Sequence, residues 1–217
     1  MSIKNDKKNG FTLAEVLIIL GIIGVVSAIT MPTLIKHYEQ HITVNQLKKV
    51  YTMLNQAFKM SEIDNDSYEN WDKPLDIGIN AYYEKYWKPY LKVVKQCKTL
   101  IECGYLSNTP WVNANNTKKA AVYGNSDKIV LNDGTLLIFG TYRNGSIHVD
   151  LNGKSKPNKY GRDYFTFHIR PDGAIGVRNI SSTRRYCSKD HTDGDNGEYC
   201  AEKIITDGWK IKSDYPW

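Results

Sequence analysis

Three sets of residues in this 217-residue chain have types and spacings suited to chemistry. Glu15 is a single carboxylate inside the otherwise apolar run of residues 11–31, FTLAEVLIILGIIGVVSAITM. A charge in such surroundings is costly and calls for a partner, and a cation held in a dry environment would supply one. Cys97, Cys103, Cys187 and Cys200 form an even set in two local pairs. In an oxidising compartment they would close as disulfides. Of the three connectivities, Cys97 with Cys103 and Cys187 with Cys200 closes the shortest loops, each contributing about 2–3 kcal/mol. A zinc site is the rival use of these thiols, but no CxxC pair or closely spaced His pair accompanies them. Within the last cysteine loop lie Asp190, Asp193, Asp195 and Glu198. Several oxygen donors on a constrained loop suit Ca²⁺, although their spacing is not that of an EF-hand.

The elements that must position these groups can be read from composition and pattern. The apolar run is about 20 residues, or about 30 Å as a helix, the thickness of a bilayer core. Lys4, Lys7 and Lys8 precede it, which holds the N-terminus in the cytoplasm and places the remaining chain outside. That is also where disulfides form. A secretory signal peptide would put its small-residue cleavage motif after the apolar region; Ser27-Ala28 imitates one, yet the run continues beyond it. A plain membrane anchor leaves Glu15 without a role. Gly21 and Gly24 weaken the helix and allow close helix–helix approach, while Pro32 removes a backbone hydrogen bond and should kink it.

Beyond the run, Leu47, Val50, Tyr51, Leu54, Ala57 and Phe58 recur at spacings of three and four, an amphipathic stem. The helix should continue to about residue 61 and span about 75 Å. Residues 72–95 read as one or two short helices with an aromatic face of Tyr82, Tyr83, Tyr86, Trp87 and Tyr90. Packing over a sheet explains that face better than sugar binding does. Residues 108–125 read as a polar surface stretch. The period then changes to two. Segments 128–132, 135–139, 146–150, 164–169 and 174–177 are strand candidates, separated by turns such as Asn132-Asp133-Gly134 and Pro171-Asp172-Gly173. No βαβ pattern occurs, so the expectation is an α+β fold. A long N-terminal membrane-spanning helix (11–61) packs on a small antiparallel sheet domain (62–217). Trp209, Tyr215 and Trp217 should pack the tail back on that domain.

Composition narrows the function classes. The net charge is +6, of which residues 1–10 supply +2, and the remaining Lys and Arg are scattered. Nucleic acid is not the expected partner, since its binding needs a concentrated basic face. No nucleophile elbow, Walker A, HExxH or GxGxxG motif is present, and His37, His41, His148, His168 and His191 are dispersed, so the chain does not read as an enzyme.

The stretch Gly10-Phe11-Thr12-Leu13-Ala14-Glu15, followed by the apolar run and Pro32, resembles the processing site of type IV pilins and type II secretion pseudopilins. The resemblance implies a leader of residues 1–10 that a prepilin peptidase removes between Gly10 and Phe11, followed by N-methylation of Phe11 by the same enzyme. It implies that Glu15 pairs with the Phe11 amine of a neighbouring subunit, that residues 11–31 serve as membrane span and then filament core, and that 32–61 form the stem. It also implies other pilin-like subunits and an inner-membrane assembly platform as partners. The localisation would be the inner membrane, single-pass, with the globular domain outside. Major pseudopilins carry calcium in a C-terminal loop, which adds to the case for Ca²⁺ here. The block Val149-Asp150-Leu151-Asn152-Gly153, with Lys156-Pro157-Asn158 and Gly161-Arg162-Asp163, resembles the globular part of pseudopilin-like proteins. A secretion pseudopilin is the first expectation. A minor pilin of a surface fibre that binds DNA or surfaces is the second, and an unprocessed membrane-anchored binding module the third.

Overall fold

The computed structural model describes residues 12–121, 125–141, 145–177 and 185–217. The chain divides into two units, residues 1–40 and 41–217. The first unit, from Leu13 onward, is entirely helical, the opening part of α1, Leu13–Asn65. The helix passes through Pro32 as one element and ends four residues beyond the expected boundary at 61.

In the second unit α1 buries one stripe: Thr43, Val44, Leu47, Val50, Leu54, Ala57, Phe58 and Ser61. Steps of three and four put these residues on a single face. Short helices follow, α2 at Pro74–Ile77 and α3 at Ile79–Tyr86, and then the strands β1 (Val93–Cys97), β2 (Lys128–Leu131), β3 (Leu136–Gly140), β4 (Ser146–Asp150) and β5 (Tyr164–His168). The sheet is an antiparallel meander in the order β1-β2-β3-β4-β5. A final helix, α4, covers Cys200–Thr206.

Three expectations meet a different outcome. Strand β1 begins inside the stretch read as helical, because α3 ends at Tyr86, a single 3-10 turn carries Pro89 and Tyr90, and the chain is extended from Val93. Residues 174–177 form no strand; Ile175 makes only an isolated bridge to Ile169. Within 108–125, Trp111, Asn113, Ala114 and Ala120 are buried rather than on the surface. The aromatic face itself behaves as core: Tyr82, Tyr83, Tyr86 and Trp87 are buried, and Tyr83 and Trp87 both lie against Phe139.

The register makes the two faces of the sheet unlike. Leu137, Val149 and Phe165 are cross-strand partners, as are Phe139, Ile147 and Phe167. This apolar face meets α1, where Tyr51 approaches the Phe167 ring at 6.0 Å. Alternation sends Ser146, His148, Asp150, Tyr164, Thr166 and His168 to the other face. An alternating strand usually leaves its polar side to water. Here every one of those residues is buried, because the segments around Trp111, Tyr160 and Tyr199 cover them.

Candidate functional site

The N-terminal helix carries the residues singled out for processing and assembly. Gly10 and Phe11 lie outside the described residues. Glu15 is described, and it has a local partner that the sequence reading missed. Its Oε2 accepts hydrogen bonds from the Thr12 backbone N–H and hydroxyl, both at 2.8 Å, while Thr12 Oγ1 accepts the Glu15 N–H at 3.2 Å. This is a reciprocal capping box that satisfies two of the orphan N–H groups at the start of the helix. The signal was present as Thr-x-x-Glu at residues 12–15.

From this cap the helix exposes its apolar side chains. Leu17, Ile18, Leu20, Ile22, Ile23, Val25 and Ile29 are all exposed, and none of the apolar window is buried within the chain. Among the described residues, α1 is the one helix long and apolar enough to cross a membrane. A Cβ added at Gly21 or Gly24 would meet nothing within 4 Å, so the chain itself gives no packing reason for either glycine. Pro32 has no N–H, which leaves the Ala28 carbonyl without its usual partner one turn back.

The cysteines pair as expected, Cys97 with Cys103 and Cys187 with Cys200. The acidic residues of the second loop do not converge as one set. Asp193 and Asp195 share a cluster with His191, their ligand atoms lying within 4.8 Å of one another. His191 Nε2 is 2.8 Å from Asp195 Oδ1, and Lys118 Nζ is 2.8 Å from Asp193 Oδ1. Asp190 is exposed and outside this cluster. Glu198 turns inward. Ca²⁺ takes six to eight oxygen ligands. Of the four acidic residues only Asp193 and Asp195 gather here, beside His191, and backbone carbonyls would have to complete any Ca²⁺ shell.

The inward turn of Glu198 completes a buried ionic group on the polar face of the sheet. His168 Nδ1 lies 2.9 Å from Glu202 Oε1, and its Nε2 lies 3.2 Å from Glu198 Oε1. The Tyr199 ring stacks on the imidazole at 4.6 Å. Burial alone would depress the His168 pKa, but hydrogen bonds and charge from the two glutamates outweigh it and hold the value above the usual one. His148 has neutral partners: Thr166 Oγ1 at 3.0 Å and Ser146 Oγ at 3.3 Å. Burial pushes its pKa down to about 3, helped by the charge of His168. At the end of β4, Asp150 accepts from Trp111 Nε1 at 2.7 Å and Tyr105 Oη at 3.0 Å, and burial raises its pKa well above the ordinary range. These groups order the cover over the sheet. Each is saturated by partners inside the chain.

Gly197 shows how tightly that cover fits. At φ +119°, a Cβ there would sit 2.2 Å from Cβ of Tyr160. Only glycine accommodates both the backbone conformation and the approach.

Comparison with known proteins divides the chain at nearly the same place as its structure. The Prokaryotic N-terminal methylation motif matches residues 5–31. The family described as "Family of unknown function (DUF6613)" matches residues 33–217. The chain is 29% identical over 76 residues to Type II secretion system core protein G of Escherichia coli (strain K12), covering 35% of this chain and 52% of that protein. It is 27% identical over 74 residues to the protein of the same name from Aeromonas hydrophila, covering 34% and 51%. The chain thus spans about half the length of the curated relatives it matches. No solved structure matches it.

Proposed function

This chain belongs to the family of unknown function DUF6613 and, through its N-terminal segment, to the type IV pilins and pseudopilins, and from that premise we propose that it is a structural subunit of a type II secretion or type IV pilus-like filament. Its class is structural, not enzymatic. In this reading a prepilin peptidase cuts between Gly10 and Phe11 and methylates the new N-terminus. The subunit waits in the inner membrane with its sheet domain outside, and an assembly platform moves it into a filament beside other pilin-like subunits.

One observation carries the proposal: the first part of α1 exposes a continuous apolar surface with one carboxylate near its start. A lone soluble chain would have every reason to bury that surface. In a membrane, and then among parallel copies of the same helix, it is covered throughout. Glu15 keeps its Thr12 partners until the amine of a neighbouring Phe11 replaces them. In a dry filament core that exchange fixes axial register, because a shifted neighbour would leave the carboxylate unpaired.

Mass spectrometry of the protein isolated from its native membrane tests this directly. The expected chain begins at N-methylated Phe11. An intact Met1 in cells with active peptidase would sink the filament reading and leave a membrane-anchored module.

A further inference from the structure

Among its described residues, the sheet domain carries lysines without carboxylate partners near the start of the α1 stripe and carboxylates without cation partners near the end of α1. Near the start of its helical stripe lies a groove of about 540 Å³, lined by Leu106, Pro110, Lys119, Lys154, Lys156 and Pro157 among others. No Asp or Glu lines it. Several lysines elsewhere on the domain have carboxylate partners, among them Lys49 with Asp133, Lys59 with Glu62, Lys85 with Asp72, Lys88 with Glu84, Lys98 with Asp127 and Lys118 with Asp193. Lys119, Lys154 and Lys156 have none among the described residues, and the internal stretches outside that description, 122–124, 142–144 and 178–184, contain no Asp or Glu. Leu106, at 99% exposure, stands on the rim as an apolar contact with nothing to cover it. The loop bearing Lys154 and Lys156 is placed at this end by two ties: Thr43 Oγ1 donates to the Arg162 carbonyl at 3.2 Å, and Gly153 lies against the Gly134 carbonyl beside the Lys49–Asp133 pair.

At the other end, where α1 finishes, the charge is reversed. Residues 62–76 hold Glu62, Asp64, Asp66, Glu69, Asp72 and Asp76 against a single Lys73. Glu62 and Asp72 are neutralised by lysines. Among the described residues, Asp64 and Asp66 have only neutral partners, the Tyr90 hydroxyl for the first and the Ser67 N–H and Asn70 amide for the second. Glu69 and Asp76 have no cation partner among the described residues. Ile63, 81% exposed, stands among them. From Thr43 to Asn65 the helix rises about 33 Å, so the two charged ends are separated by most of the length of the domain.

We propose that the lysine groove of one copy receives the acidic end of α1, residues 63–69, of a second copy, with Asp64 and Asp66 set against Lys154 and Lys156 and Ile63 against the Leu106–Pro157 rim. This contact rests on the filament reading. Parallel copies displaced along the helix axis bring the base of one domain toward the top of the next, and a head-to-tail contact of this kind propagates instead of closing on itself. Among the described residues, neither Asp64 and Asp66 nor Lys154 and Lys156 is held in an ion pair that the contact would have to break. Opposite charge selects the register and suppresses like-end encounters, while the apolar pair excludes water between them.

Charge reversal and compensation in the full chain, expressed with active peptidase, test the contact. The readout is sedimentable filament per cleaved subunit. Lys154→Glu with Lys156→Glu should lower the yield about tenfold, since like charges then face each other. Asp64→Lys with Asp66→Lys should do the same. All four together should recover at least about half of the parental yield. Recovery in the fourfold variant also shows that the reversed residues leave the domain folded. Filaments whose yield ignores either reversal, or a loss that the fourfold variant does not repair, overturn the contact alone. A parent chain that is cleaved at Gly10 and yields no filament overturns the filament reading and this contact together.

Discussion

The two parts of α1 differ in apolar content and in fate. Residues 43–61 place their apolar side chains on one stripe and bury it in the chain's own sheet. Residues 13–35 spread theirs around the helix and bury none. A stripe of three or four residues per two turns is what one neighbouring surface can cover. A helix apolar all round requires cover on every side, and only a membrane or a bundle of copies supplies that. The second part therefore contributes to the stability of the domain, while the first leaves its apolar surface for a cover outside the chain. The boundary near residue 40 is where one source of cover replaces the other.

Substitutions in the two parts should therefore have non-overlapping effects. Phe58→Ala gives the largest one. The ring is fully buried among Tyr68, Trp71 and Trp87, so the domain should lose about 3–5 kcal/mol in denaturant titrations of the detergent-solubilised chain. Ile23→Ala should leave the same titration within about 0.5 kcal/mol of the parent. An equal loss from both would erase the distinction. Replacing Cys187 and Cys200 by serine removes a loop closure of 13 residues and should cost about 3 kcal/mol, with a slightly smaller cost for Cys97 and Cys103 at a separation of six.

The pH profile of stability sharpens the domain side of the comparison. His168 has a raised value in the fold, so its contribution is fully present below the unfolded value of about 6.5 and fades as pH rises through the folded one. His148 acts in the opposite sense. Its folded value is about 3, so the unfolded chain binds the extra proton and stability falls as pH drops from about 6.5 toward that value. His168→Asn should flatten the alkaline limb and spare the acid one, as read by thermal melting across pH. Loss of both limbs, or of neither, would show that the Glu198–His168–Glu202 group does not carry the effect.

The smallest change is at the cap. Thr12→Val removes the side-chain half of the capping box, worth about 1 kcal/mol of local helix stability. It should fray amide protection at residues 13–16 in hydrogen exchange and leave domain melting unchanged.

Much of this arrangement was legible because local chemistry and tertiary context agree. Strands β2 to β5 fall within two residues of the segments marked by alternation and by turns such as Asn132-Asp133-Gly134. The stem stripe from Leu47 to Phe58 is buried as its spacing requires. Strand β1 was not legible: it runs Val-Val-Lys-Gln-Cys, an edge strand with three exposed residues in its middle and no period of two. Helix α4 has seven residues, too few to display a period of 3.6. The polar face of the sheet misled for a different reason. Ser146, His148 and Asp150 alternate as solvent-facing residues do, and only long-range partners such as Trp111 and Tyr160 turn that face into interior. Glu198 looked like a loop ligand for the same reason; its real partner, His168, is 30 residues away.

Both disulfides join cysteines that are nearest neighbours in the order of synthesis, separated by six and 13 residues. In the order of synthesis Cys97 meets Cys103 long before Cys187 appears, and Cys200 follows Cys187 after one short loop. Each thiol thus finds its correct mate first. The observed connectivity is the one that pairing in emergence order would give. Both loops can therefore close as soon as the second cysteine of each pair has been made.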